Sequence, residues 1–245
     1  MSRNFQLLER VAKNKFFTVP DEPAPPAPNG LAAIPIKKAP RDPEITKLVQ
    51  RLFSQAIEAR GPKVVSFSGI ARDDRSSWIC ARAGEALAEQ VNASVCIVDA
   101  NLVSPQLHGH VNADLCPGLQ VALVSEGPIR GFTIPICGPN LWLLSSGTLK
   151  PASNPSMERY RQRFAELREA FDYVLISAPS FSRESEAMFI GKLADGIILI
   201  VEANQSRRET VRRVKEQLEA AKVQLLGAVL DQRTFPIPEK VYRRL

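Results

Sequence analysis

An α/β fold with a doubly wound, mostly parallel sheet and helices on both faces is predicted by the order of segments along the chain. Short apolar runs alternate with stretches of helical periodicity, the pattern of strand–helix–strand units. The runs are nearly continuous, as in strands covered on both faces. The predicted strands are residues 64–68, 95–98, 141–144, 173–176, 196–201 and 226–230, and the predicted helices lie near residues 76–90, 118–126, 156–170, 184–193 and 206–221.

Proline content predicts the domain organisation. Residues 19–43 contain eight prolines, a density that favours an extended linker. Before the linker, residues 1–18 fit either a short amphipathic segment or a frayed terminus. Residues 44–245 carry the predicted strands and helices, and a chain with 44% hydrophobic residues can bury one full core over this length.

A helix is predicted to begin at Glu44. Its apolar residues recur at three- and four-residue spacing and form one stripe, namely Ile45, Leu48, Val49, Leu52, Phe53, Ala56 and Ile57. Such a stripe has to be covered. The sequence leaves two alternatives open: the stripe packs on its own domain, or it forms a seam with a partner.

Composition restricts the location and the chemistry. No apolar run approaches the roughly 18 residues that cross a bilayer, and the first residues lack the apolar core of a secretory signal, so a cytoplasmic protein is predicted. The four cysteines are widely separated, which suits reduced core thiols. Only two histidines are present and no serine has a nucleophile-elbow context, so no hydrolase triad can be argued.

The segment from Ser68 to Ser77 occupies the place of a phosphate-binding loop, between an apolar strand and a helix. Such a loop uses glycines, whose backbone N–H groups close on the phosphates, and a lysine that reaches the outer phosphates. Here the glycine positions hold Arg72 and Asp74, and the lysine position holds Arg75. Only the hydroxyl pair Ser76-Ser77 fits the pattern.

The run from Val95 to His108 resembles the second acidic motif of the bacterial tyrosine kinases of the polysaccharide co-polymerase system. These kinases are a branch of the deviant P-loop ATPases, which include partition and septum-site proteins. The resemblance extends over roughly residues 44–232 in the same order, through the loop just described and through residues 154–156, 171–179, 193–201 and 207–212. It implies a P-loop NTPase-like fold, with ATP and Mg²⁺ as the cofactors of an active member.

The resemblance also assigns site residues. The nucleotide-binding positions correspond to Arg72, Asp74, Arg75, Ser76, Ser77 and, where the family places an adenine-reading asparagine, Asp231. The metal positions correspond to Ser76, Asp99, Asn101 and Ser177. The family's tyrosine-rich tail is represented by Tyr242, which is the candidate phospho-acceptor.

These positions predict that ATP turnover is impaired. Arginine is not equivalent to a P-loop lysine, and a carboxylate about 4 Å from a phosphate would cost on the order of 4 kcal/mol at an effective dielectric of 20. Residues 72–75 have zero net charge and are expected to pair locally. At the metal positions, Asn101 and Ser177 replace carboxylates of the family, which removes charge that metal-assisted phosphoryl transfer relies on.

The resulting interpretation is a catalytically impaired, kinase-like regulator or scaffold of exopolysaccharide or capsule biosynthesis. The resemblance implies a membrane-embedded chain-length protein as partner, which would hold the chain at the inner face of the plasma membrane. The resemblance also implies homo-oligomers. The run from Glu44 to Gln50 matches only in part the sequence pattern through which family members assemble into rings.

Two alternatives stay open. One is an active, ATP-dependent tyrosine autokinase of the same pathway. The other is a partition or positioning protein that binds DNA or membrane through a basic cluster formed by Arg207, Arg208, Arg212 and Arg213. We interpret that cluster as a solvated helix face rather than a nucleic-acid site, because four glutamates are available to balance it, namely Glu202, Glu209, Glu216 and Glu219.

Overall fold

The computed structural model describes residues 42–53, 61–71, 74–111, 113, 118–147 and 155–232. Its strands are β1 (Val64–Gly69), β2 (Val95–Asp99), β3 (Ile134–Cys137), β4 (Leu141–Leu144), β5 (Tyr173–Ser177), β6 (Gly196–Glu202) and β7 (Leu225–Asp231). Its α-helices are α1 (Pro43–Phe53), α2 (Asp74–Gln90), α3 (Leu107–His110), α4 (Leu119–Val124), α5 (Met157–Ala170), α6 (Glu184–Leu193) and α7 (Arg208–Ala220). The predicted segment 1–18 and residues 19–41 of the predicted linker 19–43 lie outside the described residues.

The described strands form one sheet in the order β3-β4-β2-β5-β1-β6-β7. All neighbouring pairs are parallel except β3 with β4. The predicted α/β fold with a mostly parallel sheet is therefore confirmed. Because every parallel strand ends at the same edge, the loops that follow β1, β2 and β5 meet at the carboxyl edge, where ligands bind in open sheets of this kind.

Two short elements were absent from the sequence prediction. Strand β3 reads Ile-Pro-Ile-Cys and lies at one edge of the sheet. Proline cannot donate a ladder hydrogen bond, so it is confined to edge strands, and Pro135 made this run look like a loop. Helix α3 has only four residues and shows no periodicity that could be read from the sequence.

The prediction that every strand is covered on both faces is wrong for β7. Strands β1 and β2 are buried at every residue. In β7 no residue is fully buried, and Leu230 is 55% exposed. The reason is its position, since β7 is the last strand of the described sheet and has a neighbour on one side only.

Helix α1 packs on its own domain. Asp42 caps it by accepting a hydrogen bond from the Glu44 N–H at 2.9 Å. Its inward face buries Ile45, Val49 and Phe53 in the cluster formed with α2. The Phe53 ring meets Tyr173 of β5 edge-on, with 5.3 Å between the ring centroids. Of the two alternatives for this stripe, the structure therefore shows intramolecular packing for the described residues of the helix.

Candidate functional site

The residues assigned to metal and phosphate positions converge on the carboxyl edge of the sheet. Asp99 ends β2 and stands beside Ser177 at the end of β5, and Ser177 in turn stands beside Phe67 of β1. Helix α2 begins shortly after β1, so its first turn faces the same edge. Arg72, the side chain of Asp74, and Tyr242 lie outside the described residues.

Arg75 and Asp231 form a bidentate ion pair. The Arg75 Nε donates to Asp231 Oδ2 at 2.5 Å, and its Nη2 donates to Oδ1 at 2.7 Å. The guanidinium carbon lies 4.6 Å from the centre of the Trp78 ring, one helical turn further along α2. The side chains are 29% and 12% exposed, respectively, so the pair is largely shielded from water.

This pairing was missed by the sequence analysis. Both residues were assigned to nucleotide positions, but Arg75 was expected to pair within residues 72–75. The structure directs the Arg75 guanidinium across β6 to a carboxylate 156 residues later in the chain. The side chains expected to pair with it locally lie outside the described residues. The contact of Arg75 with the Trp78 ring was missed as well. An aromatic residue three positions after an arginine on a helix could have indicated this cation–π contact.

The pKa of Asp231 is lowered from its ordinary value, chiefly by the hydrogen bond from Arg75 and less by the attraction of the guanidinium charge. A carboxyl group whose pKa is lowered on folding adds stability above its unfolded pKa, and this stability is lost as the pH falls through the lower folded value.

We therefore expect the melting temperatures of the native chain and of an Asp231→Asn variant to differ by a constant amount between about pH 5 and pH 8. The difference should shrink only below about pH 4, where the native carboxyl group becomes protonated. Calorimetry across this pH range measures it. A difference that already shrinks between pH 7 and pH 5 would contradict the assignment to Asp231.

A serine at a nucleotide-binding position, Ser77, bonds to a serine at a metal position, Ser177. Ser77 Oγ lies 2.8 Å from Ser177 Oγ, and both side chains are buried. Ser76 is also buried, and the neighbouring Ser68 hydroxyl donates to the Pro179 carbonyl at 2.6 Å. Of these serines, Ser76 matches the family's hydroxyl for magnesium, and Ser177 is the one that puts a neutral hydroxyl where the family has a carboxylate.

Asp99 is fully buried and organises its own loop. Its Oδ1 accepts from the Asn101 N–H at 3.2 Å, and its Oδ2 accepts from the N–H groups of Gln106 and Leu107 at 3.1 and 3.0 Å. The Asn101 side-chain oxygen accepts from the Ser104 N–H at 3.1 Å. Backbone groups thus engage the oxygens that the resemblance assigns to metal.

Among the described donors at the metal positions, Asp99 carries a carboxylate, while Ser76, Asn101 and Ser177 carry neutral oxygens. Mg²⁺ is usually held by one or two carboxylates together with water and phosphate oxygens. Within the described ranges, no group of three or more histidine, cysteine, aspartate or glutamate side chains is placed to hold a metal ion.

No helix in the described part of the chain combines the length and apolar character needed to cross a bilayer.

The basic helix α7 differs in one respect from the expectation. Arg207, Arg208, Arg212 and Arg213 are exposed, as are three of the glutamates expected to balance them. Glu202, the fourth, is only 7% exposed at the end of β6 and does not lie on this surface. The solvated face is therefore more basic than predicted.

Comparison with known proteins finds sequence similarity to bacterial tyrosine kinases. No protein-family profile matches the chain. It is 26% identical over 144 residues to the tyrosine-protein kinase YwqD of Bacillus subtilis, covering 58% of this chain and 61% of the relative. It is 29% identical over 125 residues to the tyrosine-protein kinase CpsD of Streptococcus agalactiae, covering 44% and 53%. The chain is related to bacterial tyrosine kinases.

These matches confirm the resemblance, while the aligned part of this chain spans only 53–61% of the length of those two kinases.

Several solved structures have the same fold as this chain. The chimerical protein CapA2B2 has a TM-score of 0.70 at 21% identity, covering 81% of this chain and 87% of that one. The kinase domain of Escherichia coli tyrosine kinase ETK gives 0.66 at 19%, covering 78% of each chain. The septum site-determining protein MinD of Pyrococcus horikoshii gives 0.60 at 19%, covering 74% and 76%.

Proposed function

We propose that this chain is a kinase-like protein that acts by contact, as a regulator or scaffold in exopolysaccharide or capsule biosynthesis, and does not turn over ATP. The observation that carries the proposal is the hydrogen bond between Ser77 and Ser177. It ties the neutral hydroxyl of Ser177, which stands where the resemblance implies a metal-organising aspartate, to the loop hydroxyl of Ser77.

The chemical consequence follows from the mechanism of phosphoryl transfer. Catalysis of this reaction consists almost entirely of positioning and of stabilising negative charge, most of it through Mg²⁺. A metal held without protein carboxylates would depend on the nucleotide alone. The carboxylate that ends β2, that of Asp99, already accepts three backbone hydrogen bonds.

The partner we propose is a membrane-embedded chain-length protein, which would place the chain at the inner face of the plasma membrane. The support is the sequence similarity to the kinases named above. The outward face of α1 is available for contacts with this partner or with a second copy of the chain. It carries Glu44 and Lys47, which pair with each other at 2.7 Å and remain exposed.

Calorimetric titration with Mg-ATP tests the proposal. The dissociation constant is expected to be weaker than about 100 μM, near −5.5 kcal/mol, because the hydroxyl pair supplies no metal-directing charge. Submicromolar binding, or labelling of the chain by radioactive ATP, would instead favour an active autokinase.

A matched pair of variants tests whether Ser177 lies at a metal position. Ser177→Asp restores one carboxylate at the site and should make any residual ATP binding stronger with Mg²⁺ than with EDTA. Ser185→Asp adds the same charge at an exposed position of α6 and should have no such effect. Equal responses of the two variants would show that Ser177 does not lie at a metal position.

A further inference from the structure

The guanidinium group of Arg75 binds the Asp231 carboxylate with the geometry that arginine uses to bind phosphate. Arginine recognises carboxylate and phosphate by the same geometry, with two parallel N–H groups on two oxygens. Here those two groups, Nε and Nη2, both point at the Asp231 carboxylate. The guanidinium face is occupied too, because it stacks on Trp78.

The position of this pair matters as much as its geometry. Arg75 lies in the first turn of α2, whose 17 residues direct a positive dipole end towards the carboxyl edge of the sheet. Asp231 is the last residue of β7, two strands away from β1. The pair therefore spans the edge where an anionic ligand of this fold would approach.

We propose that the Asp231 carboxylate is an internal substitute for a phosphate group, and that the Arg75–Asp231 pair is an autoinhibitory strap. A ligand phosphate that used Arg75 would have to displace a carboxylate already held in place by the fold. An intramolecular group of this kind competes at a high effective concentration, so a free anion is at a disadvantage. The strap deepens the proposed function, because it supplies a second reason for weak nucleotide binding.

Titration calorimetry with inorganic tripolyphosphate and no metal tests the strap without ATP chemistry. The native chain should bind it weakly. Asp231→Asn should bind it at least about tenfold more tightly, because the freed fork gains charge-assisted hydrogen bonds to the anion. In the double variant Arg75→Gln/Asp231→Asn the gain should disappear.

Control variants exclude a general charge effect. Asp195 accepts a similar bidentate pair from Arg168, at 2.5 and 3.2 Å, yet it precedes β6 and lies at the opposite edge of the sheet. Asp195→Asn removes the same charge and should leave tripolyphosphate binding unchanged. A gain of the same size in Asp195→Asn, or one that persists without Arg75, would overturn the strap.

Hydrogen exchange provides a readout that does not depend on any ligand. Opening the strap by Arg75→Gln should speed amide exchange at least about fivefold at residues 74–78 and 229–231, while Arg168→Gln should leave these two segments unchanged. Unchanged exchange in Arg75→Gln would overturn the strap, even if the native chain fails to bind Mg-ATP. Conversely, transfer of phosphate from ATP to a chain that binds tripolyphosphate weakly and whose strap variants behave as expected would overturn the proposed function alone.

Discussion

Deletion of residues 1–60 is expected to abolish the cooperative thermal unfolding of this domain, whereas deletion of residues 1–41 should preserve it. The longer deletion removes α1, whose Ile45, Val49 and Phe53 are 7%, 1% and 3% exposed. Burying each such side chain contributes roughly 1.5–3 kcal/mol, so the loss is about 5–9 kcal/mol. A domain with a typical stability of about 5–15 kcal/mol would be unfolded or close to it. The shorter deletion keeps Asp42, which caps the helix.

Thermal melting and light scattering of both truncations measure this effect, and a pair of point variants serves as control. Val49→Asp places a charge in the buried cluster and should lower the melting temperature strongly. Gln50→Asp places the same charge at the exposed neighbouring position and should change it little. If the longer truncation melts like the full chain, α1 does not belong to the core.

The sequence was most informative where burial is complete. Strands β1 and β2 are buried at every residue, and each appears in the sequence as a mostly apolar run. Strand β7 has the same kind of run, yet its residues are half-buried or exposed. An apolar run reports residue type, and it does not report whether a strand occupies the centre or the edge of a sheet. That property depends on strand order, which is set by packing of the whole chain.

The candidate site also has features that local sequence predicts and features that depend on the strand order. The place of the loop between β1 and α2 could be predicted from local sequence, because a strand followed by a helix fixes where a phosphate loop would begin. The partners of the residues at this site could not be identified. Arg75 and Asp231 meet only because β6 and β7 follow β1 in the sheet, and Ser77 meets Ser177 only because β5 adjoins β1 on the other side. Contacts between residues 100 or more positions apart require the topology.

Replacing Arg163 by methionine is expected to cost about 3–5 kcal/mol of stability, because it removes one partner of a buried ion pair together with several hydrogen bonds. This side chain is 1% exposed. It donates to the carbonyls of Ala122 and Gly127 at 2.7 and 2.8 Å and to the Glu166 carboxylate at 2.5 Å, and it also donates to the Ser125 carbonyl.

The physical reason lies in the shortness of α4. A helix leaves its last four carbonyls without intrahelical partners, and in a helix of six residues these are most of its acceptors. Arg163 reaches from α5 and satisfies the Ala122 carbonyl, which lies in a buried part of the chain. Methionine matches the length of the side-chain stem but offers no donor, so the carbonyl would stay buried and unpaired.

Differential scanning calorimetry should therefore show a fall in melting temperature of about 6–20 °C for Arg163→Met, at about 2–4 °C per kcal/mol for a domain of this size. Arg161→Met is the matched control, because the Arg161 side chain is 59% exposed and pairs with the exposed Glu158 at 3.2 Å. Its loss should cost less than about 1 kcal/mol. Similar falls for the two variants would mean that Arg163 stabilises the domain through its charge, and not through the carbonyls that it satisfies at the end of α4.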